Sequence, residues 1–314
     1  MTDAHPAAAG PQARSGGVWV ALLVVYVVWG STYLGIRILV ADVPPLIAMG
    51  VRFLLAAAII ATIVRLRTGR GALRVSGRMW RSASLLGFFF IACGNGGVAV
   101  AEQTVPSGLA ALLVAAMPLW VVLMRVGFGG ERPKTLTWAG TLLGLAGIAV
   151  LARPDPSGDV ALWGVLTVLG ATVMWATGVF SSPRLVLPDD PFVTTVYEML
   201  AGGLVMLVLS VPTGEWVGFD VTAVPQDAWL AFVYLTVIGS VVAFSAFVWL
   251  LKHAPVSLVT TYAYVNPVVA VFLGWLVLSE PVTAVIVVGG GLAVVGVAMV
   301  VRGEREEPVE GEVV

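Results

Sequence analysis

Charge is what this sequence has least of. Only 11% of its 314 residues are Asp, Glu, Lys or Arg, against 59% hydrophobic residues, and the mean hydropathy is +0.99. A soluble domain draws about a quarter of its residues from the charged set to build its surface, so that class is excluded. A formal net charge of −1 offers no basic footprint to a nucleic-acid partner. Cys93 is the only cysteine, which excludes an internal disulfide. His5 and His253 are the only histidines and no H-E-x-x-H occurs, so no metal or other cofactor is expected. Neither a G-x-S-x-G turn nor a G-x-x-x-x-G-K-[ST] loop is present, which argues against an intramembrane serine enzyme and an ATP-driven pump.

What is present is a series of long apolar runs. A hydrocarbon core of about 30 Å takes roughly 20 apolar residues to cross as a helix. Ten such runs are separated by polar or Gly/Pro-marked breaks, at about 18–40, 44–66, 83–103, 106–126, 134–152, 160–182, 191–212, 227–251, 256–278 and 281–302. The runs are continuously apolar, unlike the alternating strands of a barrel, so they predict an all-α integral membrane protein of ten transmembrane helices. Residues 1–17 lack the basic-then-short-apolar layout of a cleaved signal and read as a disordered cytoplasmic tail, and 303–314 as an acidic cytoplasmic tail.

Positive charge is uneven. Arg65, Arg67, Arg70, Arg74, Arg78 and Arg81 fill the second loop, Arg125, Arg132 and Lys134 the fourth, Lys252 the eighth, and Arg302 and Arg305 the tail. With ten alternating spans all lie on one side, and the positive-inside tendency makes that side the cytoplasm, with both termini inside. The outer loops carry little beyond Arg37 and Arg153.

The two halves also match each other at a shift of nearly 150 residues. Trp29 aligns with Trp175, Pro45 with Pro191, Pro106 with Pro255, Pro118 with Pro267, Glu131 with Glu280, and Gly147 with Gly296. The repeats are 18–152 and 160–302. Five spans per repeat is odd, so the second copy enters the membrane inverted, an arrangement typical of alternating-access carriers.

Particular segments carry a family likeness: VWGSTYLGIR in the first span, GVRF in the second, GNGGVAVAEQTVPSGLAALLVAAMP across the third and fourth, and TYAYVNPVVAVFLGWLVLSEP in the ninth. Over about residues 18–302 the chain resembles the EamA-type branch of the drug/metabolite transporter superfamily, in its bacterial drug/metabolite or amino-acid exporter subgroup. The resemblance implies a secondary carrier of the inner (plasma) membrane that exports amino acids, metabolites or drugs. It assigns no ion-coupling residue, so the site has to come from the chemistry of this chain.

Carrier sites lie near the midplane where corresponding helices are interrupted. Pro118 and Pro267 sit near the centres of their spans and free the carbonyls of Val114 and Ala263, which makes them candidate hinges. Gly94, Asn95, Gly96 and Gly97 in the third span and Gly239 and Ser240 in the eighth put polar, flexible residues at one depth. Trp29, Ser31, Trp175, Thr177, Tyr262, Tyr264 and Asn266 fall near it, and midplane Trp and Tyr need polar partners that lipid cannot supply. Trp29, Asn95, Trp175, Tyr262, Tyr264 and Asn266 are therefore candidate substrate contacts. Ser31 and Ser240 fit helix–helix glue as well as ligand contact, and Gly140, Gly144 and the glycines around Gly291 fit close helix approach.

A charge at bilayer depth costs at least about 2.5 kcal/mol, and Arg52 and Glu198 stand there, each seven residues after its aligned proline. Arg52 is a candidate for a substrate carboxylate or phosphate, or would snorkel outward. Glu198, with Thr194 and Thr195 one turn earlier, is the candidate for proton coupling, and a structural hydrogen-bonding role competes with it. Glu102 and Arg37 fall at span ends, where a solvated position costs little. Glu131 and Glu280 read as helix-start residues. The expected partners are a small-molecule substrate, protons and the lipid bilayer, for a monomer or homodimer. An intramembrane enzyme acting on lipid or peptide, and an uncoupled facilitator or channel, remain the alternatives.

Overall fold

A computed structural model of the protein describes residues 15–69, 71–129, 132–153 and 160–305. Of the terminal tails expected at 1–17 and 303–314, residues 1–14 and 306–314 lie outside the described residues, as does Glu131, while residues 15–17 and 303–305 are helical. Among the described residues there is no strand. In chain order the helices are α1 Ser15–Asp42, α2 Pro45–Thr68, α3 Gly77–Ala101, α4 Ser107–Gly129, α5 Thr135–Leu151, α6 Leu162–Arg184, α7 Pro191–Ser210, α8 Gln226–His253, α9 Tyr262–Leu278 and α10 Ala284–Arg305. Eight are long and apolar enough to cross a membrane, and α5 and α9 are shorter apolar helices. Large apolar side chains such as Trp19, Leu66, Phe128 and Val287 point outward, which water would not tolerate in such number.

Sequence signals explain where these helices start. Pro45 and Pro191 occupy first-turn positions, where the missing N–H costs nothing. Asp190 caps α7 by accepting from Phe192 N at 2.9 Å. The residues before α2 and α4 are Pro44 and Pro106, which have no side-chain acceptor, so the exposed N–H groups of those helices take carboxylates from elsewhere in the chain. Glu215 accepts from Leu46 N and Ile47 N at 3.1 and 2.9 Å. Glu280 accepts from Ser107 N and Gly108 N at 2.8 and 3.1 Å, and from Ser107 Oγ at 3.0 Å. Glu280 therefore caps α4, not the helix that follows it in sequence. Local charge preference predicts the residue type but not the distant helix that uses it.

Helices that correspond in the two halves pack on each other: α5 on α10, and α2 on α7. The α5–α10 contact is backbone against backbone. A Cβ at Gly296 would fall on Gly144 N and Gly140 O, and one at Gly147 on Ala293 N. Gly140 and Gly144 thus permit close approach as their spacing predicts, whereas Gly291 itself faces open space and its neighbours Gly289 and Gly290 make the contacts. Gly296→Ala should destabilise the protein by about 1–3 kcal/mol through overpacking, read as a lower melting temperature in detergent. Gly291→Ala should leave that temperature unchanged.

Two pairs of irregularities recur in the halves. The α-helical ladder loosens to π-helix over Phe88–Asn95 in α3 and Leu235–Val242 in α8, an irregularity frequent at functional sites. Side chains fill the altered ladder: Asn95 Nδ2 donates to Phe90 O at 3.1 Å, and Ser240 Oγ donates to Leu235 O at 3.0 Å. In α4 the helix breaks at Ala115 and Ala116, just before Pro118. The turn at Thr260 and Thr261 separates the short helix Val256–Val259 from α9, with Pro267 one and a half turns further on.

Candidate functional site

These irregular segments surround a cavity of about 550 Å³, a size suited to a small ligand. Its wall takes residues from α1 to α4 and from α6 to α9, while α5 and α10 stand outside it. Nine of the ten residues singled out from sequence line it: Trp29, Arg52, Asn95, Pro118, Trp175, Glu198, Tyr262, Asn266 and Pro267. Val114 and Ala263, whose carbonyls the two prolines leave free, are there too. Tyr264 is not. Two residues from both Tyr262 and Asn266 on a helix, it points to the opposite side, and it packs against the core cluster containing Leu113 and Leu119.

Arg52 is buried, with 4% of its surface exposed. Its Nε donates to Ser240 Oγ at 3.2 Å, and its guanidinium carbon lies 4.7 Å from the centre of the Phe53 ring. Ser240 thus ties the π-helical stretch of α8 to the cation of α2. Among the described residues no carboxylate pairs with Arg52. The guanidinium has five N–H donors, and the protein oxygens and sulfur around it take two of them, through Ser240 and the Met49 sulfur. Snorkelling to the surface does not occur.

Glu198 lines the same cavity from α7. The threonines expected to support it do other work: Thr194 Oγ1 donates to Pro188 O at 3.4 Å, and Thr195 is itself part of the cavity wall. The backbone at Glu198 is where α3 touches α7, because Gly87 packs directly on it. A displacement of the α3 π-helix would therefore be felt at Glu198.

Aromatic rings give the cavity two apolar walls. Trp29 lies 5.0 Å from Phe247 and 5.1 Å, edge-on, from Tyr262. On the other side Trp175 lies 5.5 Å from Phe90, and a Cβ at Gly94 would collide with the indole. The Asn266 amide faces two acceptors, Tyr26 O and Tyr262 O, to which its nitrogen can donate at 3.2 and 3.3 Å. Asn95 spends its nitrogen on Phe90 O, and no described residue donates to its oxygen.

Some wall residues had no sequence signal. Phe244 and Phe247 look like any other apolar residue of α8. Thr32 and Tyr33 were within reach, since Tyr33 is one turn beyond Trp29 and on its face. Conversely, Ser31 bonds Val28 O and the Tyr234 hydroxyl, at 2.9 and 2.5 Å, and Thr177 bonds Val173 O at 2.9 Å, so both serve helix structure. Glu102 departs most from expectation. It is fully buried instead of solvated, and neither carboxyl oxygen has a hydrogen-bond partner.

A cavity walled by both halves of the chain, with a cation and a carboxyl group facing into it, is the arrangement of a ligand site between repeats. Comparison with known proteins agrees at the level of family. The model of the EamA-like transporter family matches twice, at residues 15–153 and 162–302. The uncharacterized inner membrane transporter YedA of Escherichia coli K12 is 40% identical over 283 residues, 85% of this chain and 89% of that protein. The uncharacterized transporter YoaV of Bacillus subtilis is 24% identical over 289 residues, 90% of this chain and 96% of its own. A solved crystal structure at 23% identity superposes with a TM-score of 0.61 over 94% of this chain and all of its own, which speaks to the fold alone. This chain, a multi-pass membrane protein with one family domain in each half, belongs to the EamA-like transporter family.

Proposed function

We propose that the protein is a secondary active transporter that exports small amphipathic metabolites, amino acids or drugs across the cytoplasmic membrane by alternating access, driven by protons. In this reading all ten helices cross the bilayer, as two inverted five-helix repeats with both termini in the cytoplasm. The clustering of Arg and Lys on one side supports that orientation, and the packing of corresponding helices on each other supports the symmetry.

The observation that carries the proposal is Arg52, buried and without an acidic partner in the wall of a cavity shared by both halves. An unpaired buried cation is costly unless something else pairs with it for part of the cycle. A substrate carboxylate or phosphate would do so, with the Trp29–Phe247–Tyr262 and Trp175–Phe90 rings holding its apolar part and Asn95 and Asn266 its remaining polar groups. Glu198 faces the same space and would exchange a proton for substrate. Pro118 and Pro267 would let α4 and α9 hinge.

Expression in cells lacking their native copy, with metabolite profiling of the medium and toxic-compound challenge, tests this. Outward accumulation of a defined anionic or zwitterionic compound above the empty-vector level is the expected result. A conductance far above carrier turnover, with no stimulation by substrate on the far side, would replace the carrier by a channel. Chemical conversion of an added lipid or peptide would replace it by an enzyme.

A further inference from the structure

Among the described residues, the one buried acid outside the cavity wall is Glu102, in the short turn between α3 and α4. Both of its carboxyl oxygens are enclosed and accept no hydrogen bond. Its surroundings contain donors that are committed elsewhere. Arg37 of α1 donates to the main-chain oxygen of Glu102, not to its carboxyl group. The neighbouring carboxylate of Glu280 takes three donors at the start of α4, from Ser107 and Gly108. Tyr33 of α1, which lines the cavity, lies close enough to feel the charge of Glu102.

Among the described residues, the ionisable groups that interact electrostatically with this carboxyl are Arg37, Glu280 and Tyr33. α6 packs there through Gly164 against Ala101, Thr104 and Val105, and its first turns, 162–170, contain no ionisable residue. The outer turns of α2, 45–51, contain none either. Asp42 and Glu215 border a separate groove, with Gln103.

With the side chains placed as they are, a charged carboxylate here would accept no hydrogen bond and would sit beside a second carboxylate. Burial of such a charge costs several kcal/mol, so the closed packing requires the carboxyl group to hold its proton. Once ionised it would draw Arg37 from the Glu102 carbonyl that tethers α1 to the end of α3, repel Glu280 from the α4 terminus, and need water. Each change loosens the same helix ends.

We propose that Glu102 is a proton-operated latch: with its carboxyl protonated, α1, α3 and α4 close over the outer end of the cavity, and loss of the proton lets them separate. The O–H bond of the carboxyl breaks, the proton passes to water entering from outside, and the carboxylate left behind is hydrated by that water. The latch rests on the carrier reading given above and adds to it a second proton site, distinct from Glu198 and outside the cavity wall that holds Arg52.

The test reads opening directly and needs no substrate. In a Cys93→Ala background, Val105→Cys places a thiol at a site that is 0% exposed behind the latch, and Gln103→Cys places one on the exposed surface. Maleimide labelling of purified protein in detergent, which wets both faces, is followed from about pH 5 to about pH 9, and the Gln103→Cys rate corrects for thiol ionisation. The corrected Val105→Cys rate should climb by up to about tenfold per pH unit across a one-proton step. Glu102→Gln should abolish that step and hold labelling at its low-pH rate. A corrected rate that is flat with Glu102 present, or a step that persists in Glu102→Gln, overturns the latch. Should Glu102→Gln not fold, amide exchange of residues 103–110 in the unsubstituted chain, corrected for intrinsic pH dependence, must show the same step, and a flat profile overturns the proposal. Failure of the carrier reading appears separately, as a latch that titrates in a protein that exports nothing.

Discussion

Arg52→Met should reduce export by roughly thirtyfold or more while leaving the protein at least as stable as before. The transport loss follows from removing Arg52, among the described residues the only cation lining the cavity. Truncating one partner of a buried, hydrogen-bonded charge pair costs about 2–5 kcal/mol, and the lower figure already corresponds to that factor. The stability expectation runs the other way. Arg52 is buried with Ser240, the Met49 sulfur and the Phe53 ring as its neighbours, and with no acid. An apolar side chain of similar length removes a desolvated charge, a change that is often neutral or stabilising. A residue that served only the fold would show the reverse, a lower melting temperature with proportionate loss of activity. Arg52→Lys keeps the charge but not the planar fork, so it should recover part of the activity and none of the selectivity for a carboxylate or phosphate.

Glu198→Gln should separate coupling from movement. The amide keeps the volume of the side chain and its place in the cavity wall but cannot take up or release a proton. In proteoliposomes, accumulation driven by an imposed pH gradient should fall to the level of empty vesicles, while exchange of labelled for unlabelled substrate continues at near the original rate. The part of the pH dependence of transport that Glu198 supplies should be lost in the variant, leaving only the step assigned to Glu102. Loss of both activities would make Glu198 a structural residue at the α3–α7 contact, where Gly87 already presses on its backbone. Retention of both would remove it from coupling altogether.

Much of the molecule is legible in the sequence because a bilayer allows few solutions. Continuous apolar runs must become helices, since backbone groups have no other partner in hydrocarbon. The aligned prolines and tryptophans of the two halves expose the repeat, and the family match places one domain in each. A polar cavity could be anticipated for the same reason, since Asn95, Asn266, Arg52 and Glu198 are side chains that lipid rejects, although snorkelling of Arg52 is an equally open reading of the sequence.

What could not be read depends on depth and on distant partners. Glu102 follows the last residue of an apolar run, a position that looks wet, but Arg37 and the start of α6 fold over the turn and exclude water. Glu280 sits beside α10 in sequence yet serves α4, because Pro106 left that terminus without a cap. Depth alone places Tyr264 with its neighbours, and rotation around α9 turns it away from the cavity. The π-helical stretches leave no mark in composition, and only their filling side chains, Asn95 and Ser240, hinted at them.

The measurement that bears most directly on a substrate cavity between the repeats is a crystal structure of the protein bound to the compound its expression brings into the medium. The expected density lies between the Trp29 and Trp175 walls, with an anionic group within hydrogen-bonding distance of the Arg52 guanidinium. Density for the compound elsewhere, with Arg52 still unpaired and the cavity filled by lipid or detergent, would contradict the assignment of this cavity as the transport site.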